Sequence, residues 1–363
     1  MTRIWFDPLT PKQALFCSKI GERFETQGFD VIYTTRDYPE VTGKLKLLGL
    51  SAEVIGKHGG ADRFKKLIAS AERIKALAEY VNSKAIDLAF SFASPEGARV
   101  AYGLGIPYFT ANDSPHSRFV ANLTIPYAIS LFTPWIMVQI WSDFEVSPHR
   151  IIPYHGLDPV AWLQDFTLDT KVFSELGLSP NSEYVVIRPE ETQASYLHEH
   201  ANEREPVTNP VITAIAKEYP ALKIVVLCRY PGHRKATREC FGDSVIIPDG
   251  VVDATSLLSS AQLLVGAGGT MNQEASLLGI PVISCFPGDH LATDQFLAKK
   301  KLLYRILNPD DVARKAVEIL GNIKEFKDAH RKRAQKLMQE MENPAEIIYT
   351  HLLSFATEKL KKS

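Results

Sequence analysis

The chain has 363 residues, 45% hydrophobic and 23% charged, with a formal net charge of −1. That length and balance suit two globular cores, and a charge this close to zero argues against a general nucleic-acid binder, which needs a basic face, and leaves room only for local patches. Cys17, Cys228, Cys240 and Cys285 show no paired spacing, so free thiols are expected rather than a disulfide framework or a cysteine metal site. The opening MTRIWFDPLT lacks the apolar core of a signal peptide, which gives a cytoplasmic expectation.

In chain order, the first half reads as a strand at 4–7, a helix at 14–26, a strand at 30–35, a helix, a strand at 52–55, a long helix at 61–82 and a strand at 87–92. Such strict alternation implies a parallel sheet. Residues 119–142, FVANLTIPYAISLFTPWIMVQIWS, carry no charge and are long enough to cross a bilayer. Pro126 and Pro134 divide them, however, and Asn122, Thr124, Ser130, Thr133 and Gln139 suit a buried strand with short helices or loops beside it. The competing reading is an apolar patch that rests on a membrane surface, helped by Arg118 and by the basic helix start Asp62-Arg63-Phe64-Lys65-Lys66. Residues 153–180 look like a connection. A second half then repeats the scheme, with a strand at 184–188, a helix through 211–217 and strands at 223–228 and 245–248. The tail is helical over 310–342 and 345–361, broken at Asn343-Pro344. The expected domains are 1–155 and 156–342, with a helix at 343–363 able to cross back to the first lobe.

The most informative stretch is residues 263–285, LLVGAGGTMNQEASLLGIPVISC, which reads as strand, glycine loop, helix and strand. Gly266, Gly268 and Gly269 allow a tight turn, and Thr270 with Gln273 makes a capping box. A helix that starts there presents unpaired N–H groups and a dipole that favour a phosphate. Glu274, one turn beyond Thr270, is placed to accept hydrogen bonds from ribose hydroxyls. The bland alternative is a close-packed strand-to-helix turn and nothing more. A second copy argues against it: residues 93–109, ASPEGARVAYGLGIPYF, align without a gap to 267–283, AGGTMNQEASLLGIPVI, and share Leu-Gly-Ile-Pro. Only the later copy carries the loop glycines, which assigns the phosphate site to the C-terminal half.

Ligands of open parallel sheets bind outside the carboxyl ends of the strands, and four such loops are polar: DPLTPKQ at 7–13, NDSPHSR at 112–118, RPEETQAS at 188–195 and RYPGHR at 229–234. Arg188 either meets a phosphate or carboxylate as a planar fork or pairs with Glu190 or Glu191. Asp113 and His116 are the candidates for acid and base work; the alternative is a capping aspartate and a surface histidine.

These residues resemble a known group. The two-lobed plan, GAGGTMNQEASLLGIPVIS and the following TDQFL are similar to GT-B-fold nucleotide-sugar enzymes, above all non-hydrolysing UDP-N-acetylglucosamine 2-epimerases and the lipid-linked N-acetylglucosamine transferase of cell-wall synthesis. More closely, the TPKQA, KHGG, RPE and GAGGTM segments resemble a prokaryotic family known as a domain of unknown function, over nearly the whole chain. The fold so implied is α/β and GT-B-like, with two Rossmann-like domains whose parallel sheets face a central cleft. The resemblance also implies that Gly268, Gly269 and Thr270 contact a nucleotide diphosphate, that Glu274 holds the ribose and that Gly250 and Val251 face the base. Asp294 and Gln295 would lie near the sugar, and Asp113 falls where the epimerases have a catalytic carboxylate.

Other epimerase features are replaced. DPLTPKQ stands in place of the N-terminal arginine motif, Ala93 or Ser94 in place of the acidic residue after the fourth strand, and Ile187-Arg188-Pro189 in place of His-Arg-Arg. The favoured expectation is therefore a nucleotide-sugar-dependent glycosyltransferase, with an epimerase-like enzyme as runner-up and a non-catalytic sugar-nucleotide binder as the third reading. Arg188, Arg229 and the glycine loop would hold the leaving diphosphate, Asp113 or His116 would deprotonate the acceptor, and Lys12 and Gln13 would approach from the first loop. The nucleotide-sugar is substrate, so no cofactor or metal is expected; His198-Glu199-His200 reads as a polar loop with ligand-like residue types. His58-Gly59-Gly60 either borders the site or forms the turn before the long helix. The acceptor is lipid-borne if the uncharged segment rests on a membrane, and soluble otherwise.

Overall fold

The computed structural model describes residues 2–60, 62–144, 146–179, 181–190, 206–288 and 291–362. Chain contacts divide it into two units, Met1–Trp162 with Met341–Ser363, and Leu163–Glu340. The first unit runs β1 (Arg3–Phe6), α1 (Pro11–Thr26), β2 (Asp30–Asp37), α2 (Pro39–Leu47), β3 (Glu53–Lys57), α3 (Arg63–Asn82), β4 (Leu88–Ser91), α4 (Pro95–Gly103), β5 (Tyr108–Ala111), α5 (Arg118–Asn122), β6 (Leu131–Pro134), α6 (Val138–Trp141) and β7 (Ile151–Tyr154). Its seven strands pair in the order β3-β2-β1-β4-β5-β6-β7, every neighbour parallel. Because helices cover both faces, the central strands are mostly apolar, and LAFS in β4 and YFTA in β5 are buried at every position. Trp5, Leu77, Val81, Ala89, Ala98, Ala101 and Tyr108 form one core cluster against this sheet.

The uncharged stretch breaks at its prolines into α5, a short 3-10 turn, β6 and α6. β6 is buried at all four positions, whereas Phe119 on α5 (73% exposed) and Leu123 just after it (51%) are not. No helix among the described residues is long and apolar enough to cross a membrane. β7 was not expected. Its sequence IIPY lies at the start of what reads as a connection, and Pro153 is tolerated because β7 is the edge strand of the sheet.

After α7 (Val160–Leu163), the second unit runs α8 (Lys171–Glu175), β8 (Tyr184–Arg188), α9 (Thr208–Glu218), β9 (Lys223–Val226), α10 (Pro231–Phe241), α11 (Ala254–Ser260), β10 (Leu264–Gly266), α12 (Gly269–Leu277), β11 (Val282–Ser284), α13 (Ala292–Lys299), β12 (Tyr304–Arg305), α14 (Pro309–Gly321) and α15 (Ile323–Gln339). Its strands order as β12-β11-β10-β8-β9. The strand expected at 245–248 is reduced to a single parallel bridge from Ile246 to Val225 of β9. The helix expected over 310–342 is two helices, because the chain leaves helical geometry at Asn322 (φ −127°). α16 (Pro344–Lys362) belongs to the first unit, where Tyr349 packs on Phe24 and Phe355 on Phe109, with ring centroids 4.8 and 5.0 Å apart. Cys17 and Cys285 are buried, Cys228 is half-buried and Cys240 is exposed, all as free thiols.

The repeated Leu-Gly-Ile-Pro closes both copies in the same way. In α4 the N–H of Ile106 bonds to the carbonyl of Ala101 and that of Gly105 to Tyr102; in α12 Ile280 bonds to Ala275 and Gly279 to Ser276. These are paired Schellman stops, and they hold Gly105 and Gly279 at φ +68° and +77°. The two glycines differ in what surrounds them: a Cβ on Gly105 meets nothing within 4 Å, and one on Gly279 meets the Arg331 backbone at 2.7 Å. Gly105→Ala should therefore cost about 1–2 kcal/mol from the left-handed backbone alone. Gly279→Ala should cost a further ~1–3 kcal/mol for displacing Arg331. Urea denaturation of the two variants checks this; equal losses would contradict it.

Candidate functional site

In both units the strand order reverses beside the first strand, between β1 and β4 and between β8 and β10. At such a switch point the loops at the carboxyl ends diverge and leave room for a ligand. The helix that follows the strand paired across this switch point, α4 after β4 or α12 after β10, points its N-terminus there, and four N–H groups at each start need partners.

The first unit satisfies α4 from within. Ser94 caps it, accepting from the Gly97 N–H at 3.1 Å and donating to Asp7 Oδ2 at 2.6 Å. Asp7, at the end of β1 and 1% exposed, thereby places a carboxylate at the helix start. Arg73 binds that carboxylate through both terminal nitrogens, at 3.0 and 2.6 Å, and Thr34 donates to it at 2.6 Å. Burial raises the Asp7 pKa, but the Arg73 charge and these donors outweigh it and hold the group below the ordinary carboxylate value.

The second unit leaves α12 open. Its N-cap is Gly268, and no side chain among the described residues caps it. This corrects the expected Thr270–Gln273 box: the helix begins two residues earlier, so Thr270 lies inside the first turn and Gln273 is buried in the second. Gly268 is extended (φ −164°), so backbone freedom does not call for glycine there. Space does, since a Cβ would meet Arg229 Nη2 at 2.7 Å. Arg229 follows β9, and Arg188 ends β8 with Nη1 donating to the Leu227 carbonyl at 2.6 Å. Glu274, 5% exposed, accepts from Thr255 Oγ1 at 3.0 Å. Gly250 is exposed and Val251 half-buried in the loop after the Ile246 bridge, next to Asp249, which binds Arg234 and Arg238. Arg188, Arg229, Gly250, Val251, Gly268, Gly269, Thr270 and Glu274 thus all follow strand ends of one sheet edge or start the helix there.

Asp294, in the first turn of α13 after β11, lies at the same edge but is sealed off. It is 1% exposed, accepts from Ser284 Oγ at 2.7 Å, and burial pushes its pKa up to about 6 against opposing effects of Ser284, Arg305 and Asn272. Its carboxyl group is therefore packed in the interior, and of that pair only Gln295 is exposed.

The polar cluster of the first unit lies at the ends of β1, β5 and β7. Lys12 Nζ stands 2.6 Å from Asp113 and 2.5 Å from Asp158, and 4.2 Å over the Phe92 ring. Tyr154 donates to Asp158, and Ser114 Oγ to Asp113 at 2.8 Å. The side chains of Lys12, Asp113 and Asp158 are 14%, 9% and 0% exposed. Burial raises both carboxyl pKa values. At Asp113 the Lys12 ammonium and the Ser114 hydroxyl win and the pKa falls; at Asp158 burial with the Asp113 charge wins and pushes it to about 7. Lys12 is in turn raised, its two carboxylates outweighing burial.

Lys12, expected at the sugar, is the cation that joins these carboxylates. Gln13 braces the first loop, its Oε1 accepting from the Leu9 N–H at 2.6 Å. His116 is half-buried in the turn after Asp113. Asp158, Tyr154, Asp7 and Arg73 went unread in the sequence. The available signal for Asp158 was the apolar run IIPY followed by HGLDP, a seventh strand with an acid beyond its end. His198, Glu199 and His200 lie outside the described residues.

The chain belongs to the family described as Protein of unknown function (DUF354), whose model matches residues 2–357. The uncharacterized protein MJ0665 of Methanocaldococcus jannaschii is 28% identical over 357 residues, 97% of this chain and 98% of its own. Among solved structures, S. aureus MnaA with UDP superposes with a TM-score of 0.72 at 13% identity, covering 98% of this chain and 97% of that one. The M. jannaschii UDP-GlcNAc 2-epimerase in complex with UDP-GlcNAc and UDP gives 0.69 at 16%, covering 98% and 100%. Acinetobacter baumannii MurG gives 0.56 at 13%, also covering 98% and 100%. The fold is GT-B, built from two Rossmann-like units.

The raised pKa of Asp158 has a consequence for stability. Between about pH 4 and pH 7 the folded chain keeps a proton that the unfolded chain has lost, so stability falls as pH rises through that window. Asp158→Asn removes this slope. Urea denaturation of both proteins at pH 5, 6, 7 and 8 should show the native protein losing ground to the variant; parallel curves would contradict the assignment.

Proposed function

We propose that the protein is a nucleotide-sugar-dependent glycosyltransferase whose donor diphosphate binds at the start of α12, within residues 266–274. The observation that carries this reading is the open helix start at the switch point of the second unit, with the Arg229 guanidinium beside Gly268. Arg188 and Arg229 supply further positive charge, Glu274 takes the ribose hydroxyls, and the backbone at Gly250 and Val251 meets the base, with Gln295 toward the sugar. As the bond from the anomeric carbon to the diphosphate breaks, negative charge collects on the leaving oxygen. Preorganised N–H groups and guanidinium groups stabilise it more in the transition state than in the ground state.

The acceptor hydroxyl attacks the anomeric carbon and gives up its proton. Asp113, ionised at neutral pH and the less buried of the two carboxylates, takes it. Lys12 and Asp158 set its basicity, and His116 borders the same loop. A second reading, an epimerase-like reaction on the same donor, is favoured by the pairing of one ionised carboxyl with one near half-protonation at pH 7, which suits removing a proton from one position and returning it to another. No resident cofactor takes part in either reading.

A thermal-shift screen of the full chain against UDP, GDP, ADP, CMP, dTDP and their sugar conjugates tests the reading. One nucleotide at a hundred times its Kd should stabilise the protein by about 2.7 kcal/mol, and Glu274→Ala should weaken that shift without abolishing folding. Absence of any shift would overturn the proposal. For turnover, free nucleotide released only when acceptor is present identifies the transferase, an isomerised sugar nucleotide identifies the epimerase, and binding with neither leaves a binding protein.

A further inference from the structure

Arg36 lies in β2, close to its carboxyl end, one strand from the switch point of the first unit. Its neighbour Arg73 is fully committed, to Asp7, to the Ile55 carbonyl at 2.9 Å and to Glu96 at 3.6 Å. Glu96 also accepts from Ser70 Oγ at 2.7 Å. Asp7 is therefore taken, and Glu96, whose Oε2 has no hydrogen-bond partner, reaches Arg36 through its charge alone. Arg36 makes one long hydrogen bond, Nη2 to the Leu9 carbonyl at 3.5 Å, and lies 5.7 Å from the centroid of the Tyr38 ring. Its Nε is buried with no hydrogen-bond partner, and no carboxylate among the described residues forms an ion pair with it. Burial pulls its pKa below the ordinary guanidinium value, against the pull of Glu96 and with the push of Arg73. A mostly buried guanidinium is costly unless an anion meets it, and its planar fork matches paired oxygens.

The surroundings specify the anion further. Tyr38 stacks on His58, with ring centroids 4.9 Å apart and planes 24° apart, which fixes the wall beside Arg36. His58 Nδ1 accepts from the Gly60 N–H at 3.1 Å, so the neutral ring carries its proton on Nε2 as a further donor in this loop. Beyond the loop, α3 opens with Arg63, Lys65 and Lys66, interleaved with Phe64 and Leu67, 70% and 66% exposed. A mostly buried guanidinium with a planar fork, in a unit whose α3 start carries further cations and exposed apolar side chains, favours a group of high negative charge density over a single carboxylate.

We propose that Arg36 anchors a phosphoryl group of the acceptor, on the far side of the β1–α1 loop from Lys12 and Asp113. The site stands on its own geometry; its role as an acceptor site rests on the transferase reading above. The phosphoryl group is carried either by a soluble acceptor or by a lipid headgroup, and Phe64 and Leu67 are placed to meet acyl chains in the second case.

Arginine Nε–H NMR of the full chain tests this without requiring turnover. The Arg36 signal is assigned from its loss in Arg36→Lys. Inorganic phosphate should shift it saturably, sodium chloride of equal ionic strength should not, and the apparent Kd taken from the other perturbed signals should rise about tenfold in Arg36→Lys, where a single ammonium replaces the fork. A signal that ignores phosphate but responds to vesicles of phosphatidic acid and phosphatidylcholine, and not to phosphatidylcholine alone, places the phosphoryl group on a lipid. A signal unmoved by phosphate and by both vesicles, or moved equally by chloride, overturns the proposal. The same samples titrated with UDP report separately through the Arg188 and Arg229 signals. An Arg36 response with those two silent keeps the anion site and removes its acceptor role.

Discussion

Unpaired amide groups at a helix start demand an anion, and the rest of this structure depends on how each unit meets that demand at its switch point. A doubly wound sheet aims the helix that follows the strand across the switch point, α4 or α12, at the place where the loops part. The first unit meets the demand with the Ser94 hydroxyl, which caps the Gly97 amide and donates in turn to Asp7, itself held by Thr34 and Arg73. The second unit has glycine at the corresponding cap and a guanidinium where a side chain would stand. One architecture, present twice, thus gives a sealed copy and a receptive copy. The repeat seen in the sequence is a repeat of backbone, and its two copies differ in the chemistry of a few side chains.

Sealing one helix start has consequences for the groups around it. Arg73 spends its charge on Asp7, so the remaining cations of that edge are left to other partners. Lys12 draws Asp113 and Asp158 together, and because burial makes two adjacent charges costly, the carboxyls separate into one that stays ionised and one that titrates near neutrality. Asp113 is the more exposed of the two, 9% against 0%, and Asp158 is closed in under Tyr154. Arg36, with no such partner among the described residues, is left with affinity for an anion from outside.

The elements of this fold were readable wherever local chemistry sets them. Strict alternation, the paired Leu-Gly-Ile-Pro stops and the glycine loop led to two parallel sheets, and the strand at 184–188 has the bounds expected of it. β7 was not readable, because Pro153 and a short apolar run look like a linker until a neighbouring strand is there to pair with them. The candidate site was legible in part. The loops that hold Arg188, Arg229, Gly268 and Asp113 follow from strand ends alone, whereas the partners of those residues depend on contacts between distant segments. Lys12 and Asp158 are 146 positions apart in the chain and 2.5 Å apart in space, and no spacing rule joins them. Burial separates Asp294 from Gln295 for a related reason: adjacent residues on one helix face different surroundings, and only packing decides which side chain reaches solvent.

The most direct test of the central claim is a crystal structure of the full chain with UDP. The account predicts the diphosphate at the first turn of α12, within hydrogen-bond distance of the Gly269 and Thr270 amides and of Arg229, with Asp7 still bound to Ser94 and Arg73 at the start of α4. A diphosphate bound at α4 with Asp7 displaced, or bound away from both helix starts, would contradict it.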